Sequence, residues 1–287
     1  MKPFLRTLGF VILPAIFSGC IESTTMVEVK TDGSGTIRVL EFYSPQIMSM
    51  LEGFPDEMHW MEMPQEHEDD THRQADASGL FQEQIMAKLM EYGPGVTLDS
   101  FHETTNARGW KGFEAMYAFS DINQIRLGGG DISETNDDAL QYSFQFTPGE
   151  TATLRIIPAR PDTAAQVRER EPMDEDDFHM TETPDMDDQE MLNGMEGLFG
   201  DLFQGMRVRM RVQVDGTVVE SNADYPAPGR DNLITLMDVE FDRFLNDPEA
   251  MQLLMSEDPD AMYKLKEKGV PGIQVEDPDK TIVIRFR

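Results

Sequence analysis

The sequence is poor in cysteine and in basic side chains, and each shortage excludes a class of protein. Its 287 residues include 1 cysteine, and 24 Lys and Arg stand against 54 Asp and Glu, which gives a formal net charge of -30. Nucleic-acid binding draws most of its affinity from Lys and Arg that neutralise phosphates, so this charge excludes a nucleic-acid partner. A single cysteine excludes an intrachain disulfide and a metal cage built from cysteines.

Compact catalytic motifs are also missing from the sequence. It contains no Gly-x-Ser-x-Gly elbow and no His-Glu-x-x-His, and the Gly-rich stretch 128–131 lacks the Lys-Ser/Thr that a phosphate-binding loop needs. With 54 acids in the chain, pairs of carboxylates arise by chance and indicate no glycosidase. We therefore assign no catalytic residue, and the sequence favours a non-enzymatic protein. An enzyme whose site follows no known motif is the weaker alternative.

Residues 1–19 have the features of an export signal. Lys2 and Arg6 provide a positive start, and the apolar run Leu8–Phe17 follows. This run is about half as long as the roughly 20 residues that a membrane-spanning helix needs. The sequence therefore predicts a signal peptide rather than a transmembrane anchor.

The end of this signal, Ile16-Phe17-Ser18-Gly19-Cys20, resembles the lipobox of bacterial lipoproteins. Phe17 stands where Leu is usual, but small residues precede the cysteine as the motif requires. The resemblance implies cleavage before Cys20 and attachment of acyl chains such as palmitate to it, so that the covalent lipid holds the protein at a membrane. The residue after the cysteine is Ile21 rather than Asp, which by the enterobacterial sorting rule favours the outer membrane over the inner one, on its periplasmic or surface side.

The mature chain predicts an α+β fold with antiparallel hairpins, short helices and two lobes. In the N-terminal lobe, residues 20–157, strands 25–30 and 36–43 alternate apolar and polar residues around the turn Asp32–Gly35. Val27, Val29, Ile37 and Val39 are the expected core residues of this hairpin. Further elements are predicted at 44–51 and 78–92 (helices) and at 96–105, 110–119, 140–146 and 151–157 (strands).

Two acid-rich segments interrupt this pattern. Residues 55–77 predict a mobile acidic loop, and residues 158–190 predict a flexible linker that carries 12 acids against 3 arginines. A C-terminal lobe, residues 191–287, follows the linker. Its elements are predicted at 191–203, 240–245, 248–255 and 259–268 (helices), at 206–214 and 217–221 (a hairpin around Asp215-Gly216), and at 233–239 and 280–286 (strands).

The hairpin around Asp32–Gly35 lies directly after the lipid-bearing cysteine. In this respect the chain is similar to bacterial lipoprotein domains of the LppM type, over roughly its first 30 mature residues. Together with the lipobox, this resemblance implies a lipid-anchored module of the cell envelope. Its function would be binding or structural, with a ligand or an envelope protein partner that the sequence does not identify.

A metal site in the acidic loop is the alternative function. The loop holds Met58, His59, Met61 and Met63, with His67 and His72 downstream. Thioether and imidazole ligands suit Cu(I), and export to an oxidising compartment makes such a site plausible. The competing interpretation is compositional, because the chain has 21 methionines and three in one loop need no special cause. The sequence thus leaves open a periplasmic copper-handling protein.

Overall fold

The structure is a computed structural model that describes residues 21–53, 77–128, 141–159, 203–254, 256, 258 and 261–287. Its strands are β1 (Ile21–Val29), β2 (Gly35–Tyr43), β3 (Thr97–Thr105), β4 (Lys111–Phe119), β5 (Arg126–Gly128), β6 (Gln141–Thr147), β7 (Ala152–Ala159), β8 (Arg207–Val214), β9 (Val218–Ser221), β10 (Pro226–Ala227), β11 (Arg230–Glu240), β12 (Ile273–Val275) and β13 (Ile282–Phe286). Its helices are α1 (Pro45–Gly53), α2 (Ala77–Glu91), α3 (Pro248–Leu254) and α4 (Ala261–Glu267), with 3-10 turns at Ile122–Gln124 and Phe241–Arg243. No described helix is long and apolar enough to cross a membrane.

These strands form two sheets. The large sheet has the order β10-β11-β8-β1-β2-β4-β3, with β12 also paired to β11. The small sheet has the order β5-β6-β7-β13-β9. Adjacent strands of the small sheet are all antiparallel. In the large sheet, among the described strands, only β1 and β8 pair in parallel. The predicted α+β class is confirmed, with much more strand than helix.

Alternating side chains of the large sheet build the core. Along β2 and β8 every second residue is buried, as the period of two in a strand requires. The predicted core residues Val27, Val29, Ile37 and Val39 are all fully buried. They belong to one continuous apolar cluster with residues of the small sheet, such as Ile284.

Most of the locally predicted elements are confirmed. The hairpins β1–β2, β3–β4 and β6–β7 form as antiparallel pairs, and α2 lies within one residue of its predicted bounds. At the start of α1 the amide of Ile47 donates to the hydroxyl of Ser44, as expected of an N-cap. The helix predicted at 240–245 is shorter, a 3-10 turn at Phe241–Arg243.

The hairpin predicted around Asp215-Gly216 is wrong. Its two strands exist, but β8 belongs to the large sheet and β9 to the small sheet. The amide of Asp215 donates to the carbonyl of Val29, whereas the amide of Thr217 donates to the carbonyl of Arg287. Gly216 makes this crossing at a φ of 152°, where a Cβ would lie 2.8 Å from the Arg287 carbonyl oxygen. The turn therefore carries the chain between sheets instead of folding it back.

The predicted two-lobe organisation is not confirmed. Strand β1, from the predicted N-terminal lobe, pairs with β8 from the predicted C-terminal lobe. In the small sheet, β7 pairs with β13 in the same way. Each sheet thus combines strands from both sides of the predicted linker.

Several predictions lie outside the described residues. These are the signal and Cys20, the acidic loop except Ala77, the linker from residue 160 onward, and the helix predicted at 191–203 except Phe203. The first two residues assigned to the linker, Pro158 and Ala159, belong instead to β7.

A buried ion pair fixes α2 on the large sheet. Glu41 lies on the inner, otherwise apolar face of β2, and its Oε1 is 3.0 Å from the Lys88 Nζ of α2. The side chains of Glu41 and Lys88 are only 8% and 11% exposed. The hydroxyl of Tyr43 donates to the other carboxylate oxygen at 2.7 Å. Since each charge has lost its water, each depends on the other.

We expect Lys88→Met to lower the free energy of unfolding by about 3–5 kcal/mol, because it leaves the Glu41 carboxylate buried without its counter-ion. The double variant Glu41→Gln/Lys88→Met should recover part of this loss, since it removes both charges. Urea denaturation of the full chain measures the free energy of unfolding of the single and the double variant. Arg285→Gln, which breaks the exposed pair with Glu220, serves as the control and should cost less than about 1 kcal/mol. A Lys88→Met variant as stable as the control would contradict the assigned role.

Candidate functional site: an arginine-lined cleft

An open cleft of about 470 Å³ lies where β8 begins and β11 ends. This volume falls within the range of small-molecule sites, roughly 300–1,000 Å³. Its walls come from the large sheet, the 3-10 turn Phe241–Arg243, α4 and the loop that leads into β12. The lining residues are Arg207, Tyr225, Asp238, Glu240, Arg243, Lys266, Gly269, Val270, Pro271, Gly272, Ile273 and Gln274.

Three arginines of β8 lie in one row on the outer face of the large sheet. Arg207, Arg209 and Arg211 alternate with buried apolar residues, so the period of two turns all three guanidinium groups away from the core. Their side chains are 32%, 17% and 29% exposed, which places them partly out of water. Only Arg207 lines the cleft itself, and the other two extend the row along the sheet.

The carboxylate of Asp238 holds this row together. Arg207 contacts it in a bidentate manner, with Nε 2.8 Å from Oδ1 and Nη2 2.9 Å from Oδ2. Arg209 Nε lies 3.1 Å from Oδ2, and Arg211 Nη2 lies 3.4 Å from the same oxygen. One acid thus accepts hydrogen bonds from three guanidinium groups.

A β-bulge places Asp238 on the arginine face. The register between β11 and β8 shifts between Thr235 and Met237, so that Leu236 is the extra residue. In a regular ladder Leu236 would pair with Met210, and the period of two would then turn Met237 toward the arginines and Asp238 toward the core. With it, Asp238 pairs directly with Arg209.

The charges of the cluster act on one another. Burial opposes ionisation of Asp238, but the guanidinium groups of Arg207 and Arg209 outweigh it and hold the pKa of this carboxyl below its ordinary value of 3.8. Burial and the positive charge of Arg209 lower the pKa of Arg211. One carboxylate, that of Asp238, thus faces three guanidinium groups, of which Arg207 also pairs with Glu240.

Glu240 and Arg243 form the next layer of the cleft. Glu240 Oε1 lies 2.7 Å from Arg207 Nη2, and its Oε2 lies 3.1 Å from Arg243 Nε. Gly272 packs against this pair at a φ of +87°, and a Cβ there would come within 2.5 Å of the Arg243 side chain. Glycine therefore leaves room for Arg243 at the mouth of the cleft.

The opposite wall is held by a buried carboxylate. Oε1 of Glu276 accepts hydrogen bonds from the amides of Asp224, at 2.7 Å, and of Tyr225, at 3.1 Å. Tyr225 lines the cleft, and the Nζ of Lys266 lies 5.4 Å from its ring centroid. Glu276 therefore positions this wall, although it does not line the cleft.

Glu276 is 1% exposed, and its Oε2 has no hydrogen-bond partner among the described residues. The Nζ of Lys280 is 3.9 Å from this oxygen. Burial raises the pKa of Glu276 above its ordinary value of 4.5, against the opposing effect of the two backbone amides. Between pH 4.5 and its folded-state pKa, Glu276 therefore retains in the folded chain a proton that it releases in the unfolded chain.

Because of this raised pKa, the contribution of Glu276 to the stability of the chain should fall as the pH rises through 4.5 toward its folded-state pKa. Glu276→Gln retains an oxygen for the two amides but cannot ionise. We expect the stability of the unsubstituted chain, relative to this variant, to decrease over that pH range in chemical denaturation. Glu276→Ala, the control, leaves both amides without an acceptor and should cost about 1–3 kcal/mol per unsatisfied group. A difference between the unsubstituted chain and Glu276→Gln that does not change with pH would contradict this assignment.

The residues that the sequence singled out are not at this cleft. Cys20, Met58, His59, Met61, Met63, His67 and His72 all lie outside the described residues. Lipid attachment and copper binding therefore stay predictions. In the part of the chain that the structure describes, no group of three His, Cys, Asp or Glu could hold a metal ion.

Sequence reasoning missed the cleft. The strand predicted at 206–214 is present as β8, in which Arg alternates with buried apolar residues, so that one face of the strand is basic. Three basic residues on one face of a single strand, in a chain with 54 acids, were the sequence signal that could have pointed to this cleft. What the lining offers is charged hydrogen-bond donors, a tyrosine face and backbone, which suit binding.

The chain matches no protein-family model and no curated protein. Among solved structures it is similar to the NMR structure of the folded domain of LppM from Mycobacterium tuberculosis, with 11% identity and a TM-score of 0.31, over 94% of this chain and 91% of that one. The similarity is too weak to assign a fold family or a function.

Proposed function

We propose that this chain is a lipid-anchored binding module of the bacterial cell envelope and that the arginine-lined cleft is its ligand site. The cleft carries the proposal, because it combines an adequate volume with several polar groups that converge on it. The lipid on Cys20 would hold the module at the membrane, on the outer membrane in preference to the inner one. A role in binding agrees with a lining that offers charged hydrogen-bond donors.

Copper handling by Met58, His59, Met61, Met63, His67 and His72 is the alternative proposal, and its support is the sequence pattern alone. It concerns a different segment, so it neither requires nor excludes a ligand in the cleft.

The ligand site is tested with three small aromatic fragments that differ in charge: anionic benzoate, neutral benzamide and cationic benzylamine. The full chain is purified in detergent micelles with labelled Ile and Val methyl groups. We expect at least one fragment to shift the methyl resonances of Val270 and Ile273, which line the cleft. Ile157, on β7 of the small sheet, provides the control resonance and should not move. If no fragment shifts the cleft resonances, the cleft is not the ligand site.

The anchor is tested with Cys20→Ser, which removes the thiol that an acyl transfer needs. We expect the unsubstituted protein to be found in the membrane fraction with residues 1–19 missing and an acyl mass on Cys20, as mass spectrometry can show. The variant should lack the acyl mass and keep its signal segment or be cut elsewhere. An unmodified Cys20 in a freely soluble mature protein would rule out the lipid anchor.

A further inference from the structure

The cleft has an excess of positive charge. Four guanidinium groups, those of Arg207, Arg209, Arg211 and Arg243, gather around the two carboxylates of Asp238 and Glu240, whereas Lys266, the other basic residue of the lining, lies 3.9 Å from Asp224. This excess of two positive charges occurs in a chain with a formal net charge of -30. The acidic surface therefore gives way at this place to a locally basic one.

The two acids of the cleft are already engaged. Asp238 accepts from Arg207, Arg209 and Arg211, and both oxygens of Glu240 lie against guanidinium nitrogens. A cationic ligand would have to displace these arginines to reach a carboxylate. The lining therefore disfavours a cation.

Guanidinium donors remain available for an anion. Arg243 contacts Glu240 through Nε alone among the described residues, and its side chain is 65% exposed at the mouth of the cleft. Arg207 uses Nε and Nη2 for Asp238 and Glu240, and its Nη1 has no hydrogen bond to the described protein groups. The Nη1 and Nη2 of Arg243 match the two oxygens of a carboxylate or a phosphate, and Arg207 adds a donor through Nη1.

The rest of the lining is less polar. The ring of Tyr225 and the side chains of Val270 and Pro271 face the same cleft. These surfaces can cover the apolar or planar part of a ligand whose acidic group is held by the arginines. The two kinds of surface together fit a molecule that has an acidic end and an organic body.

We propose that the cleft binds a small organic anion, with its carboxylate or phosphate group held by Arg243 and Arg207 and its body against Tyr225, Val270 and Pro271. This inference rests on the proposed function of the cleft as a ligand site. It adds the chemical class of the ligand. Asp238 and Glu240 act as internal counter-ions that position the guanidinium groups, and they do not contact the anion's charge.

The test compares fragments that share a ring and differ in charge. Benzoate, phenyl phosphate, benzamide and benzylamine are titrated into the full chain in micelles, and the Val270 and Ile273 methyl shifts report binding. We expect benzoate or phenyl phosphate to bind at least about tenfold more tightly than benzamide, as a charged hydrogen bond would give. The ratio between these two anions shows which acidic group the cleft prefers.

Arg243→Gln is the decisive variant, because Arg243 is exposed and pairs only with Glu240 among the described residues. We expect it to weaken anion binding about tenfold and to leave benzamide binding unchanged. The anion affinity of Arg243→Lys should lie between those of the unsubstituted chain and Arg243→Gln, since lysine keeps the charge but not the paired donors. Arg285→Gln is the matched control, as it breaks a similar exposed pair, with Glu220, on the small sheet.

Two outcomes would overturn the inference while leaving the ligand site in place. One is that benzamide or benzylamine binds in the cleft as tightly as the anions. The other is that the anions bind in the cleft of Arg243→Gln as tightly as in the unsubstituted chain. If no fragment shifts the cleft resonances, both the anion inference and the proposed ligand site fail. Failure of the inference alone can therefore be distinguished from failure of the proposed function.

Discussion

The parallel pairing of β1 with β8 is the constraint on which the rest of the structure depends. It runs from Glu22 opposite Arg207 to Val29 opposite Val214 and joins the start of the described chain to a strand far along it. With β1 on one side and β11 on the other, β8 becomes an interior strand whose inner residues are buried. The same pairing fixes the three outward arginines between two neighbours. The strand that carries Arg207 into the cleft is therefore held on one side by residues from the start of the described chain.

Two buried acids show how such a mainly apolar assembly admits carboxyl groups. Glu41 is stabilised by an opposite charge from a helix, and Glu276 by two backbone amides. Each acid holds a second element in place: α2 in one case and the Tyr225 wall of the cleft in the other. A buried charge contributes such positioning at a cost in desolvation, so it specifies geometry more than it adds stability. The wall of the cleft is thus determined by a residue outside it.

The sequence predicted what local signals control. The hairpin at Asp32–Gly35 and the helix α2 follow from turn residues and apolar spacing within a few positions. The error at Asp215-Gly216 has the same origin, because an Asp-Gly turn specifies a reversal of the chain but not the partner of each strand. The pairing of β1 with β8 carries no such local mark, and neither does the meeting of Asp238 with Arg209. The bulge brings Asp238 next to Arg209, and its only sign in the sequence is the pair of consecutive apolar residues Leu236-Met237, which interrupts the alternation.

The arginine cluster is difficult to explain by stability alone. Partly buried ion pairs lose much of their attraction to desolvation, and apolar side chains of similar volume would often serve as well. Yet four of the 24 basic residues, Arg207, Arg209, Arg211 and Arg243, gather around two carboxylates. Salt screens the acidic surface beyond about 8–10 Å, so its repulsion of an anion is weak at a distance. Within the cleft the nearby guanidinium donors dominate. A site of this kind admits a small anion while the surrounding surface repels larger polyanions.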